Sequence, residues 1–199
     1  MMTKEEINEV TKDIVSFGVS NEDTDCYLKY VRPLPAGSIV VDFGTGRSKN
    51  VTRIALANPE ATVITFDNAE ENMNLGTIGY FIEICNRFKK AKVDNVYFTL
   101  ADSMTTFPDW DLPIDVINLD SSHKYEQTKE ELRIWLPRIK VGGYIFLHDY
   151  NFGLTCVEGE WMVDHRVAGL RQAADEDLKN DNWEWLDFIG ATQVVRKLK

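Results

Sequence analysis

The stretch "SIVVDFGTGRSKN", Ser38 to Asn50, decides how the rest of the chain is read. Ile39, Val40, Val41 and Phe43 form a short apolar run broken only by Asp42, which reads as a buried strand. Gly44 and Gly46 then let the backbone turn tightly and approach a ligand closely. "SKNVTRIALAN" follows as a helix. A strand passing through a glycine loop into a helix is the opening unit of an α/β sheet, and such sheets bind ligands outside the carboxyl ends of their strands. Two glycines alone also fit a plain turn, so the neighbours decide. A dinucleotide fingerprint needs a third glycine at position 49, which is Lys49, and no phosphate loop of the type G-x-x-x-x-G-K-[ST] is present. What stands is Asp-x-Gly-x-Gly, Asp42 to Gly46. A carboxylate there suits a ligand bearing ammonium or hydroxyl groups better than a pyrophosphate.

Downstream the pattern alternates. "TVITFD" reads as a strand, residues 69–90 as a long, partly helical stretch weakened by Gly76 and Gly79, and "VYFTLAD" and "IDVINLD" as strands. "YEQTKEELRIWLPRIK" reads as a helix, after which Gly142-Gly143 turns the chain into the strand "YIFLHD". Residues 158–178 read as helical, and "WEWLDFIG" and "TQVVRKL" as a closing hairpin. Upstream, Thr3 and Glu6 fit a capping box for a helix with Ile7, Val10, Ile14 and Phe17 on one face. A short helix from Asp23 to Val31 follows, opened by Ser20-x-x-Asp23, and "RPLPAG", Arg32 to Gly37, breaks the chain. With no repeat and no linker, residues 1–199 read as one domain: an N-terminal helical extension (1–36) and a ligand-binding core (37–199). Alternating strands and helices predict a mostly parallel sheet covered on both faces. Asp42, Asp67, Asp102, Asp120 and Asp149 all fall at or just inside strand ends. Any one of them could simply cap a helix or make a turn. Together on one rim they mark a ligand edge.

The 199 residues carry a formal net charge of −10, with 44% hydrophobic and 27% charged residues. That acidity argues against a nucleic-acid backbone as partner and favours a small molecule. No apolar run reaches the roughly 20 residues of a membrane span, and the acidic, amphipathic start is not that of a secretory signal. Cys26, Cys85 and Cys156 are odd in number and form no C-x-x-C pair, so a reduced, cytoplasmic chain is expected. Whether it forms a homo-oligomer stays open.

From about Gly37 to Lys199 the sequence resembles the class I S-adenosylmethionine-dependent methyltransferases. The resemblance implies a Rossmann-like three-layer sandwich: a mostly parallel seven-stranded sheet ending in an antiparallel hairpin, here with added N-terminal helices. It implies that the loop of Asp42, Gly44, Thr45 and Gly46 wraps the methionine part of the cofactor. It further implies that Asp67, with Asn68, meets the ribose hydroxyls, and that Asp102 and Ser103 lie near the adenine.

"LDSSHKYEQTKEELRIWLPRIKVGGYIFLHDY", Leu119 to Tyr150, more closely resembles the macrocin O-methyltransferase-like and cephalosporin-hydroxylase-like group, with its "D-G-x-H-x-Y" and "H-D-Y" strand ends. In metal-dependent members the first acid is a metal ligand and the histidine three residues on the general base. That maps a divalent metal, Mg2+ or another, onto Asp120 and Asp149 with His148 beside them, and the base onto His123. Ser121 replaces the usual Gly, and His148 stands where a second carboxylate can occur. An oxygen-seeking magnesium would lose one ligand by that change; manganese, iron or zinc would accept the imidazole.

The chemistry implied is methyl transfer to an oxygen of a small molecule such as a sugar or natural-product hydroxyl. A hydroxyl becomes nucleophilic once its proton is taken by a base such as His123, or its oxygen is polarised by a metal. The alternatives are a catalytically inactive cofactor-binding or regulatory protein and a nicotinamide-dependent oxidoreductase, which Lys49 disfavours. The segment from Asn151 to Arg166 is long enough for a lid bearing Trp161 or His165; anchoring of the next helix is the plainer use.

Overall fold

The computed structural model describes all residues except 17–18, 71–75, 106, 153, 158–159 and 164–167, and only the backbone of 154–157 and 160–163. Among the described residues the elements run α1 (Lys4–Thr11), α2 (Asp23–Tyr30), β1 (Ile39–Phe43), α3 (Lys49–Ala57), β2 (Thr62–Asp67), α4 (Gly76–Ala91) and β3 (Val96–Leu100). They continue β4 (Ile114–Leu119), α5 (Tyr125–Trp135), β5 (Ile139–His148), β6 (Leu154–Val157), β7 (Glu160–Val163), α6 (Gly169–Leu178), β8 (Trp183–Ile189) and β9 (Thr192–Lys197). Seven strands form one sheet in the order β3-β2-β1-β4-β5-β9-β8. The first five are parallel and β9 and β8 antiparallel, giving the Rossmann-like arrangement expected.

β4, buried at every residue, lies between β1 and β5 at the centre. Alternate side chains feed two cores, as a sheet covered on both faces requires. Val40, Val116 and Phe146 pack with α2, α3 and α4. Val41, Ile117 and Ile145 pack with α5 and α6. The register sets Thr65, Asp42 and Asn118 side by side on β2, β1 and β4. That polar row is buried, and it is tolerated because its members hydrogen-bond one another.

Several boundaries differ from the sequence expectation. The helix after His123 stops at Trp135, because Pro137 lies within the 3₁₀ turn Leu136–Arg138 that follows. β5 therefore starts at Ile139, before Gly142-Gly143, and the glycines lie inside the strand at a break in its pairing with β4. A Cβ on Gly143 would sit 2.8 Å from the Asp115 carbonyl oxygen, so glycine allows the two strands to close there. β6 (Leu154–Val157) and β7 (Glu160–Val163) pair antiparallel, so residues 160–163 are strand where helix was expected from 158. The first helix ends at Thr11, Phe17 lies outside the described residues, and of the long helical stretch expected over 69–90 the described helix is Gly76–Ala91, residues 71–75 lying outside the described residues.

The N-terminal helices are built into the core. The expected capping box is present: the Glu6 amide donates to Thr3 Oγ1 and the Thr3 amide to Glu6 Oε2. Arg53 on α3 is completely buried beneath this segment. Its guanidinium donates to Thr11 Oγ1 (3.1 Å), the Ser20 carbonyl (2.6 Å) and Asn21 Oδ1 (2.9 Å). Lys29 and Tyr30 of α2 both bind Asp187 on β8. Among the described residues no helix is long and apolar enough to cross a membrane. Replacing Arg53 with Met would orphan three acceptors, and urea unfolding is expected to show a loss of about 3 kcal/mol. An unchanged urea midpoint would show that the N-terminal segment does not depend on this arginine.

Candidate functional site

The carboxyl ends of β1 to β4 surround an open cavity. Gly44, Gly46, Phe66, Asp67, Asn68 and Glu70 line one side, and Ala101, Asp102, Ser103, Asp120 and Ser121 the other. Ser122, Lys124 and Gln127, from the approach to and first turn of α5, complete it. It spans about 780 Å³ including its open mouth; ligand sites commonly run ~300–1,000 Å³.

The glycine loop is fixed by contact. Gly44 has φ +90°, and a Cβ there would lie 2.0 Å from the Asp120 carbonyl oxygen. Only glycine brings the loop after β1 against the end of β4. The Gly44 amide donates to the Phe66 carbonyl (2.9 Å), and the Gly46 amide to Asp67 Oδ2 (2.8 Å). Asp67 Oδ1 accepts from the Ala69 amide (2.7 Å), and Asp102 Oδ1 from the Met104 amide (2.7 Å). Tyr80 Oη, from α4, donates to the Gly46 carbonyl (2.8 Å).

Of the residues expected to meet the cofactor, Gly44, Gly46, Asp67, Asn68, Asp102 and Ser103 line the cavity. Asp42 and Thr45 lie beneath it. Asp42 accepts from Thr65 Oγ1 (2.6 Å) and Asn118 Nδ2 (2.7 Å), and Thr45 Oγ1 shares a 2.6 Å bond with Thr65 Oγ1. Burial pushes the Asp42 carboxyl up to about 7; the two hydrogen bonds oppose this, and Asp120 and Asp67 add to it. Its part in the loop is therefore support from below.

The second group stands at the adjacent ends of β4 and β5. Asp120, His123 and Asp149 are half-buried and bring one ligand atom each to within 4.8 Å of one another. His123 Nε2 lies 3.6 Å from Asp149 Oδ2, and its ring packs on Phe152, centroids 5.0 Å apart. Asn50 Nδ2 donates to Asp120 Oδ2 (2.9 Å). Asp149 has φ +56°, a left-handed conformation that aspartate tolerates better than most residues. The two carboxylates at this spacing could hold a divalent cation, with the His123 imidazole beside them either as a third ligand or as a free base.

His148 lies behind this group, 1% exposed. Its Nδ1 is 3.1 Å from Asp120 Oδ1 and 3.6 Å from Asp149 Oδ2, and its Nε2 is 3.7 Å from Asp23 Oδ2. Neither nitrogen makes an aligned hydrogen bond, so the attraction is Coulombic. Burial alone would lower the imidazole; Asp120 above all, with Asp149 and Asp23, outweighs it and holds His148 well above its ordinary value. Burial alone would raise Asp23, but His148 and the Ala191 and Ser20 amides hold it below the usual range. His148 is thus a charged brace behind the two acids.

Sequence reasoning missed Asp23, completely buried at the start of α2, and Glu131, completely buried on α5. Glu131 takes hydrogen bonds from Ser103 Oγ (2.6 Å) and Ser121 Oγ (2.7 Å), so it ties two walls of the cavity. The available signal was helical period: Glu131 falls on the buried stripe of α5 with Thr128, Leu132 and Trp135. The side chains of Trp161 and His165 lie outside the described residues.

Residues 41–150 match the model of a family described as a methyltransferase domain. Three solved structures illustrate the likeness in fold. One, described provisionally as an O-methyltransferase from Klebsiella pneumoniae, has 14% identity over 98% of this chain and 90% of its own, with TM-score 0.71. Cofactor-bound Rv0187 from MTB has 13% identity over 96% and 87%, with TM-score 0.71. The O-methyltransferase NovP has 16% identity over 91% and 81%, with TM-score 0.64. No curated protein sequence matches the chain significantly.

The raised Asp42 pKa carries a pH signature. Between its ordinary value and about 7 the native state holds a proton that the unfolded chain has released, so stability falls as pH rises through that window. Relative to Asp42→Asn, the wild type is expected to lose up to about 4 kcal/mol between pH 4 and 7. Urea unfolding of both proteins across that range checks it; parallel curves would be the contrary result.

Proposed function

The chain belongs to the methyltransferase-domain family, and on that premise we propose that it transfers a methyl group from S-adenosylmethionine to a hydroxyl oxygen of a small molecule, such as a sugar or natural product. The observation that carries the reading is the convergence of Asp120, His123 and Asp149 beside the cavity that the glycine loop closes. S-adenosylmethionine supplies an electrophilic methyl group on a positively charged sulfur. Two features favour its binding: the backbone of Gly44 and Gly46 admits close approach, and the Asp67 carboxylate retains lone pairs for a pair of hydroxyls. Asp120, shared by the cavity and the acidic group, would border the donor and the acceptor alike.

His123 Nε2 has no hydrogen-bond partner, so it is available to take the acceptor's proton as its oxygen attacks the methyl carbon. The electron pair of the broken carbon–sulfur bond stays on sulfur. Asp120 and Asp149, braced by His148, would hold a divalent cation, which when bound would polarise the acceptor oxygen. Asp120, Asp149 and the Phe152 face of His123 would then orient the acceptor, and that positioning carries much of the rate.

Calorimetry with S-adenosylhomocysteine is expected to show one binding site per chain; no heat of binding would sink the assignment. With radiolabelled methyl donor and a panel of hydroxylated acceptors, His123→Ala is expected to lower turnover by about 10²–10⁴ at unchanged S-adenosylhomocysteine affinity. EDTA is expected to abolish turnover and Mn2+ to restore it. Full activity in EDTA would remove the metal from the proposal while leaving methyl transfer intact.

A further inference from the structure

The helix that joins β2 to β3 carries two apolar stripes. Tyr80, Ile84 and Phe88 of α4 are buried against the sheet. Ile78, Phe81, Ile82 and Cys85 recur at helical spacing along its flank, and Ile78, Phe81 and Ile82 are exposed. A surface helix needs only the inward stripe. Phe81 stacks on Phe98 of β3, centroids 5.4 Å apart, so the outer stripe runs on to the strand. β3 is the last strand of the sheet. The Val63 amide donates to the Asn95 carbonyl and the Ala101 amide to the Asp67 carbonyl, each at 2.9 Å, so the odd-numbered residues of β3 bond β2. By the alternation of a parallel ladder, the amides and carbonyls of Val96, Phe98 and Leu100 point away from the sheet. On the other face, among the described residues, no helix links β3 to β4. There Tyr97, Phe107 and Leu112 are exposed and line an open groove with Ile64.

We propose that this edge binds a second copy of the chain: β3 pairs antiparallel with β3 of the partner about a two-fold axis, joining two seven-stranded sheets into one. The surface is its own complement in three respects. An open strand edge is completed by another edge. Paired strands lie ~4.8 Å apart, so the two crossover helices flanking the pair lie about 10 Å apart, the spacing at which helices pack. Their apolar flanks then meet. Charge fixes the direction. Lys89 and Lys90 stand in the last turn of α4, and Glu70 stands exposed ahead of its first turn. Antiparallel copies set the lysines of one toward the glutamate of the other and oppose the helix dipoles favourably; parallel copies would set like against like. The area is sufficient. Ile78, Phe81, Ile82, Tyr97, Phe107 and Leu112 are between 41% and 76% exposed. At ~200 Å² for a large apolar side chain they offer on the order of 650 Å² per chain, close to the ~800 Å² per partner of a standard interface. The inference does not depend on methyl transfer.

The test is sedimentation equilibrium of the full chain with hydrogen exchange of β3. The wild type is expected to sediment at twice the 22.8 kDa of one chain. Ile82→Glu puts a carboxylate into the apolar flank of both copies and is expected to raise the dimer dissociation constant by about a hundredfold or more. Tyr97→Glu does the same on the other face of the sheet. Both positions are exposed in the single chain, so circular dichroism is expected to show both variants folded. Should one not fold, the other serves in its place. Peptides covering β3 are expected to exchange at least severalfold more slowly in the wild type than in a folded monomeric variant, because pairing engages the outward amides. A wild type that stays monomeric up to about 100 μM, below the reach of a stable interface, would overturn the inference. So would a dimer that persists in every folded variant, since its interface would lie elsewhere. Equal exchange of β3 in dimer and monomer would also overturn it, because the strands would then not be paired.

Discussion

A charge taken out of water is tolerated only beside its opposite, and the carboxyl edge of this sheet is arranged around one such case. His148 is enclosed by Asp23, Asp120 and Asp149. These four side chains come from four places: the first turn of α2, the end of β4, and two successive positions at the end of β5. None can be moved without stranding another. The arrangement explains why helices that precede the core by sequence are part of it by packing. Asp23 also accepts from the Ala191 amide at the turn between β8 and β9, and a Cβ on Gly190 would meet its Oδ1 at 2.3 Å. One aspartate thus holds the start of the chain, the closing hairpin and the back of the acidic group in a single geometry.

Asp120 links the two halves of the site. Its backbone amide donates to the Phe43 carbonyl, its carbonyl oxygen lies against Gly44, and its carboxylate meets Asn50 and His148. Beneath it, the row of Thr65, Asp42 and Asn118 carries the polar character of the rim one layer into the sheet. A protein that must place a methyl donor and an acceptor in line needs such shared fixtures, because independent anchoring would let the two drift relative to one another.

The central strands were legible because buried parallel strands are near-continuous apolar runs, and Ile114–Leu119 is an example. The rim acids were legible because a strand ending fixes where its last side chain points. Depth was not. Asp42 and Asp67 look alike in the sequence, yet one is a buried support and the other lines the cavity. His148 and His123 differ likewise, and only the packing of α2 onto β5 separates them. The Gly142-Gly143 pair looked like a turn because a glycine needed for close strand approach and one needed for a bend leave the same trace. The strand Glu160–Val163 was read as helix because four residues are too short to display a period.

The bond between Asp23 and Ala191 spans 168 positions of sequence. During synthesis at about 5–20 residues per second, Asp23 has to wait on the order of ten seconds or more for its partner. Over that interval Arg53, already made, can gather the N-terminal segment, but the acid at the head of α2 has no hairpin to grip. Contacts of such long range slow folding because the loop must close before they repay it. The rim of the sheet therefore acquires its final shape late, after the strands that carry it, and a chain interrupted before β9 would have a nearly complete cavity with an unbraced edge.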